Sequence, residues 1–203
     1  MKSILMSIRP EWCKKIFDGE KTIEVRKTRP LIDMPFRVYV YQTKIKFKVK
    51  NWQENFQSIV FTPNGGVEEG NGKVIGSFVC DKIEKIDIQA QITTTLSERW
   101  TFNGIAKQAC LTAEQLKEYL NGGTGYGWHI TEPKLFDKPR ELREFYTKCD
   151  KTGDCECEDC LHLQVVLSSY PCDDDVYTWC GVDNKKPISR PPQSYCFVET
   201  DEK

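Results

Sequence analysis

The most constraining stretch of the chain is the eight-residue run Gly19-Glu20-Lys21-Thr22-Ile23-Glu24-Val25-Arg26. The residues before it, Pro10 to Asp18, have the pattern of a helix, and Gly19 is a typical residue to end one. The second half of the run alternates apolar and polar residues, which predicts a strand. Because side chains alternate across a strand, one face should carry Ile23 and Val25 and the other Thr22, Glu24 and Arg26.

The polar face of this predicted strand is a concentrated charge cluster, and Lys21 adds a further cation at the turn that enters the strand. We expect Lys21 to lie at the mouth of any groove that this face lines. Two cations around one carboxylate favour an anionic or polar ligand, because Lys and Arg bind phosphate and Glu can accept a hydrogen bond from a base. An exposed strand edge with an ordinary ion pair explains the same pattern, and the spacing leaves both interpretations open.

Composition limits the class of protein. The chain has 203 residues, 39% of them hydrophobic and 11% aromatic, which is enough for a substantial core and predicts a single domain over residues 1–203. A net charge of −1 excludes a global basic field, so a nucleic acid would have to bind a local patch. The chain lacks an apolar run of about 18 residues and a signal-peptide pattern, so we expect a cytoplasmic protein with no membrane partner.

Strands predominate in the pattern, and they do not alternate regularly with helices. This predicts an α+β fold containing a small mixed β-barrel with a few flanking helices. Residues 44–72 are predicted to form an excursion from this domain, and residues 148–190 a Cys-rich insertion within it. The predicted strands are Ile4 to Ile8, Arg37 to Thr43, Lys73 to Ile86, Tyr126 to Thr131 and Pro191 to Val198. The predicted helices are Pro10 to Asp18, Ala106 to Leu120 with a break before Thr112, and Asp137 to Phe145.

The motif Gly19-x-Lys21-x-x-Glu24-x-Arg26 resembles that of the ASCH domain family. The segments 72–78, 126–130 and 190–196 also look like parts of bacterial and phage ASCH proteins. The resemblance implies a PUA-like β-barrel with a cleft beside the first helix. It further implies RNA or modified-nucleoside recognition, with Lys21, Glu24 and Arg26 facing that cleft.

One branch of the ASCH family hydrolyses N4-acetylcytidine with a Lys, a Thr and a Glu. The resemblance matches the catalytic Lys to Lys21, whereas Glu24 stands where that branch has its Thr. A Glu at this position cannot form the acyl intermediate that a Thr nucleophile forms.

Two functions therefore compete for the same residues. In the binding interpretation, which we favour, Lys21 and Arg26 hold a phosphate or a base carbonyl. Glu24 accepts a hydrogen bond from the base, and Trp128 offers a stacking surface. In the hydrolytic interpretation, Glu24 is a general base for water and Lys21 stabilises an oxyanion, with an acylated pyrimidine nucleoside or RNA as substrate. Trp128 is equally well explained as a core residue, and binding requires no cofactor in this scheme.

A cluster of potential metal ligands, Cys155-x-Cys157-x-x-Cys160-x-His162, lies in the Cys-rich segment. Thiolate and imidazole are the ligands that zinc prefers, and a segment poor in apolar residues needs some other source of order. We therefore predict a structural zinc site formed by Cys155, Cys157, Cys160 and His162. The other interpretation is a loop with reduced, unliganded cysteines.

Elemental analysis of the purified protein tests the zinc prediction. We expect about one zinc ion per chain, since four soft ligands complete a tetrahedral site. A folded protein that contains no metal would contradict it.

Overall fold

The computed structural model describes residues 2–44, 59–61, 67–69, 72–87, 96–148, 163–166, 177–180 and 185–199. The helices in these ranges are α1 (Pro10–Phe17), α2 (Leu96–Gln108) and α3 (Ala113–Leu120), and a 3₁₀ turn covers Leu142–Glu144. The strands are β1 (Lys2–Ile8), β2 (Ile23–Arg26), β3 (Phe36–Gln42), β4 (Ile59–Phe61), β5 (Val67–Glu69), β6 (Val74–Cys80), β7 (Ile83–Asp87), β8 (Thr124–His129), β9 (Thr131–Arg140), β10 (Tyr146–Lys148), β11 (Leu163–Val166), β12 (Tyr177–Cys180), β13 (Lys185–Pro187) and β14 (Tyr195–Glu199).

A mixed seven-stranded sheet organises the fold, in the order β13-β10-β14-β1-β3-β6-β9. β1 is parallel to β3 and antiparallel to β14. A smaller sheet has the order β2-β8-β7, and two hairpins pair β4 with β5 and β11 with β12. The predicted α+β class is confirmed. The predicted β-barrel is not, because the strands within the described ranges form these open sheets and no closed barrel.

Two core clusters pack the elements around the site, and the second of them contains β2. The first joins α1 to the large sheet and contains Ile4, Met6, Cys13, Ile16, Val38, Val40, Phe78 and Trp128 among its members. The second packs β2 against α2 and α3 and includes Ile23, Val25, Phe102, Ile105, Leu116 and Leu120. Burial of the apolar face of β2 in the second cluster leaves its polar face to point the other way, as the alternation predicts.

Several element boundaries agree with the sequence pattern. Pro10 occupies the first position of α1, where a missing N–H costs nothing, and Gly19 follows the helix with φ +78°. The predicted break between the two later helices is confirmed, since Thr112 begins α3 with a capping box to Gln115. Gly76 lies at register shifts in both of its ladders, which mark an irregularity of β6 at this glycine.

Two predicted elements are wrong. The pattern from Lys73 to Ile86 is not one strand, because β6 ends at Cys80 and β7 joins the other sheet after Asp81 and Lys82. The segment 137–145 is not an α-helix, because β9 continues to Arg140 and the remainder contains the short 3₁₀ turn Leu142–Glu144. Pro139 lies in β9, an edge strand of the sheet, where a residue without an N–H is tolerated.

The two ends of the excursion lie next to each other in space, and the two sides of the Cys-rich insertion are likewise paired. Gln42 accepts a hydrogen bond from Gly72 N and donates one to Lys73 O. Lys148 in β10 pairs with Lys185 in β13. Most of both segments, including the predicted ligands Cys155, Cys157, Cys160 and His162, lies outside the described residues, so the zinc site stays a prediction.

Two further properties concern the described ranges only. None of their helices has the length and apolar character needed to cross a membrane. They also contain no group of three or more His, Cys, Asp or Glu side chains placed to hold a metal ion.

Gly76 permits the close approach of α1 to the large sheet. A Cβ at this position would lie 2.5 Å from Lys134 O and 2.7 Å from Phe17 Cζ. We expect Gly76→Ala to lower the free energy of unfolding by about 1–3 kcal/mol, as overpacked core positions do. Urea denaturation measures the change.

Gly104→Ala is the matched control, because the same methyl group would meet nothing within 4 Å on α2. Helix propensity predicts that it raises the free energy of unfolding by about 0.5–1 kcal/mol. Equal effects of the two substitutions would contradict the tight packing at Gly76.

Candidate functional site

The Glu24 carboxylate bridges the two cations that the sequence places around it. Lys21 Nζ lies 3.3 Å from Glu24 Oε2, and Arg26 Nη2 lies 3.1 Å from Glu24 Oε1. Lys21, Glu24 and Arg26 are only 3%, 7% and 9% exposed. The structure therefore brings the three predicted site residues into one cluster, called here the Lys-Glu-Arg cluster, and excludes the interpretation as an exposed strand edge.

Backbone carbonyls anchor both cations from other parts of the fold. Lys21 Nζ donates to Ala109 O at 2.8 Å, and Arg26 Nη2 donates to Ser7 O at 2.7 Å. Ala109 directly follows α2, and a helix C-terminus carries unpaired carbonyls and partial negative charge that attract an ammonium group. These bonds connect the cluster to α2 on one side and to β1 on the other.

The cluster opens onto a cleft of about 410 Å³. This volume lies within the range of about 300–1,000 Å³ that is common for small-molecule sites. The lining residues are Ser7, Ile8, Arg9, Trp12, Lys21, Glu24, Val25, Arg26, Thr43, Leu111, Tyr119 and Gln193. The cleft adjoins α1, which is the position that the sequence resemblance implies.

The aromatic side chains of the cleft are Trp12 on α1 and Tyr119 on α3, and sequence reasoning assigned neither to the site. Lys21 Nζ lies 5.1 Å from the Trp12 ring centroid, and Lys27 Nζ lies 5.4 Å from that of Tyr119. Both distances suit cation–π interactions. Tyr119 is 42% exposed, so part of its ring remains available to a ligand.

The charge cluster acts on the hydroxyl of Tyr119. Partial burial raises the pKa of this phenol. Of the nearby charges, Arg26 and Arg9 lower the same pKa and Glu24 raises it. The hydroxyl is thus a neutral donor and acceptor at neutral pH.

The structure corrects the predicted role of Trp128. β8 places Trp128 opposite Glu24, but the indole is 0% exposed. Phe36 packs edge-to-face on it at 5.7 Å, and the Tyr195 ring lies 5.2 Å away. Trp128 is therefore a core residue and offers no surface on which a ligand could stack.

Two potential nucleophiles next to the cluster are both unsuited to attack. Burial raises the pKa of the Cys13 thiol well above its usual value, and the negative charge of Glu24 raises it further, so Cys13 stays protonated. The Ser7 hydroxyl is engaged, since it donates to Pro192 O at 2.6 Å. Neither side chain is therefore poised to act as a nucleophile.

No family model matches the chain, and no curated protein does. Among solved structures, it is similar to the ASCH protein from Zymomonas mobilis, with 20% identity and a TM-score of 0.44 over 69% of this chain and 73% of the other. Two mutants of that protein give 20% identity and TM-scores of 0.44 and 0.45, over 69% and 70% of this chain and 74% and 77% of theirs. These structural neighbours are ASCH proteins, the family whose motif the chain resembles.

Removal of the Glu24 carboxylate tests the burial of the cluster. We expect Glu24→Ala to lower the free energy of unfolding by about 3–5 kcal/mol, because it leaves two desolvated cations without their counter-charge. Chemical denaturation at neutral pH measures the loss.

Thr22→Ala on the same stretch is the control, since Thr22 is exposed and its effect should stay within about 0.5 kcal/mol. A loss at Glu24 as small as the loss at Thr22 would show that the three charges remain solvated.

Proposed function

We propose that this chain binds RNA or a nucleoside in the cleft lined by the Lys-Glu-Arg cluster, without a required cofactor. The observation that carries the proposal is the burial of three charged side chains at the wall of an open cleft. Burying charges costs free energy that a packed apolar group would not cost, so such a cluster is weakly explained by stability. Its polar atoms are positioned to form hydrogen bonds with a ligand in the cleft.

The charge around the cleft favours a polyanion despite the overall net charge of −1. The Lys-Glu-Arg cluster has a formal charge of +1, and Arg9 at the cleft wall and Lys27 beside Tyr119 are exposed cations. Within the described ranges, the ion pair of Arg9 is a long contact of 4.0 Å to the exposed Glu11, a type of pair that contributes little. Arg9 and Lys27 are therefore suited to contact phosphates outside the cleft while the base enters it.

The aromatic residues support a base as the group that enters. Trp12 and Tyr119 line the cleft together with the polar cluster. Readers of single-stranded RNA combine aromatic stacking with hydrogen bonds to base edges. A cleft with both features in its wall has the composition of a base-binding site.

The alternative is a hydrolase that acts on an acylated pyrimidine nucleoside such as N4-acetylcytidine, or on RNA. The contact of 3.3 Å between Lys21 and Glu24 supports it, since a carboxylate could activate water while the ammonium stabilises an oxyanion. Incubation of the protein with N4-acetylcytidine and with RNA decides between the two functions. Release of cytidine or of RNA fragments supports the hydrolase, and their absence at high enzyme concentration leaves binding.

Filter binding with single-stranded RNA tests the proposed cleft. We expect Arg9→Ala and Lys27→Ala each to weaken binding and to reduce the dependence of affinity on salt by about one counterion, as the loss of a phosphate contact does. The double variant Lys21→Ala and Arg26→Ala should abolish binding while circular dichroism shows a folded protein.

Lys117→Ala is the matched control, because it removes an exposed cation from α3, the helix that carries Tyr119, without changing the cleft lining. Its RNA affinity should equal that of the unmodified protein. Loss of affinity in the control as large as at Arg9 would indicate nonspecific charge attraction, and unchanged affinity in the double variant would contradict the proposed cleft.

A further inference from the structure

We infer that the cleft selects a base with the imide edge of uracil, in which an N–H lies between two carbonyl oxygens. The inference rests on the proposed function and identifies the class of base that the same site takes. It follows from the order in which the cluster presents its donors and acceptors.

Glu24 is the central member of the cluster. One carboxylate oxygen contacts Lys21 and the other contacts Arg26, so an acceptor lies between two donors. The cleft lining includes all three side chains. A ligand edge that contacts all three side chains at once must therefore present a hydrogen-bond acceptor, a donor and an acceptor, in that order.

Each member of the cluster has hydrogen-bonding capacity beyond its internal contacts. Lys21 Nζ has three N–H groups and uses two of them, for Ala109 O and for Glu24. Arg26 contacts Ser7 O and Glu24 through Nη2, and its buried Nε has no hydrogen-bond partner among the described residues. Each Glu24 oxygen receives one cation and has a second lone pair.

Uracil complements this order. Its two carbonyl oxygens can accept from Lys21 and Arg26 while its N3–H donates to Glu24. In cytosine the unprotonated N3 would bring a lone pair against the Glu24 carboxylate, and N1 of adenine would do the same. Guanine offers a central N–H, but its 2-amino group would direct a donor at a cation.

The position of the Glu24 carboxylate between the two cations also disfavours an anion in the interior of the cleft. A phosphate placed between the two cations would face the Glu24 carboxylate, and two like charges in a poorly solvated site repel strongly. A neutral imide has no such conflict. The interior therefore suits a base, and the exposed Arg9 and Lys27 suit the phosphates.

Isothermal titration calorimetry of the unmodified protein with uridine, cytidine and 3-methyluridine measures the three affinities and tests the inference. The methyl group of 3-methyluridine removes the N3–H and keeps both carbonyl oxygens, which isolates the contact to Glu24. We expect uridine to bind at least about tenfold more tightly than either analogue, because each analogue leaves a buried polar group unpaired.

Oligouridylate and oligocytidylate of equal length show whether the site takes uracil from RNA or from the free nucleoside. A preference for oligouridylate supports recognition of uracil within RNA, and a uridine preference confined to the nucleosides supports recognition of the free nucleoside. Equal binding of uridine and 3-methyluridine, or tighter binding of cytidine, would overturn the inference and leave the proposed function in place. Failure of every nucleoside and oligonucleotide to bind would overturn the proposed function itself.

Glu24→Gln adds a second readout. The amide keeps the shape of Glu24 but can present an N–H to N3 of cytosine. We expect the ratio of uridine to cytidine affinity to fall towards one in this variant, with folding checked by circular dichroism. A ratio unchanged from the unmodified protein would contradict the role of Glu24, and if the variant does not fold, the analogue series decides.

Discussion

The bridge that Glu24 forms between Lys21 and Arg26 is the interaction on which the site depends. It holds two cations at the wall of the cleft, and these cations in turn bind carbonyls of Ala109 and Ser7. Four parts of the fold therefore converge on one carboxylate: the turn after α1, strand β2, the end of α2 and strand β1. Because a buried ion cluster is costly unless each charge is paired, the same bonds that arrange the site also make its geometry specific.

The hydrophobic face of β2 makes this arrangement possible. Ile23 and Val25 pack against α2 and α3, which fixes the orientation of the strand. Glu24 and Arg26 then point to the opposite side by the geometry of the strand itself. This part of the site could be predicted from the sequence, because a period of two residues is a local property and the apolar and polar positions agree with it.

The remainder of the cleft depends on contacts that no local pattern contains. Tyr119 reaches the cleft because α3 packs on β2, and its position in a helix gives no sign of that. Trp12 and Trp128 both lie in amphipathic elements, yet the first lines the cleft and the second is enclosed by Phe36 and Tyr195. Which tryptophan is accessible is decided by the neighbours that cover it in the tertiary structure.

Among the helices and strands too, some could be predicted from the local sequence and others depend on tertiary contacts. Helix α1 and its end at Gly19 could be predicted from Pro10 and the glycine. The pattern of apolar residues from Lys73 to Ile86 instead predicts one strand, because periodicity records which faces are buried and not which sheet buries them. The chain passes from one sheet to the other at Asp81 and Lys82, where two polar residues interrupt the pattern only briefly.

A crystal structure of the protein with bound uridine tests the central claim most directly. We expect the base in the cleft, with N3 within hydrogen-bond distance of a Glu24 oxygen and the carbonyl oxygens directed at Lys21 and Arg26. Uridine bound at another surface, or a cleft in which those three side chains lie apart, would contradict it.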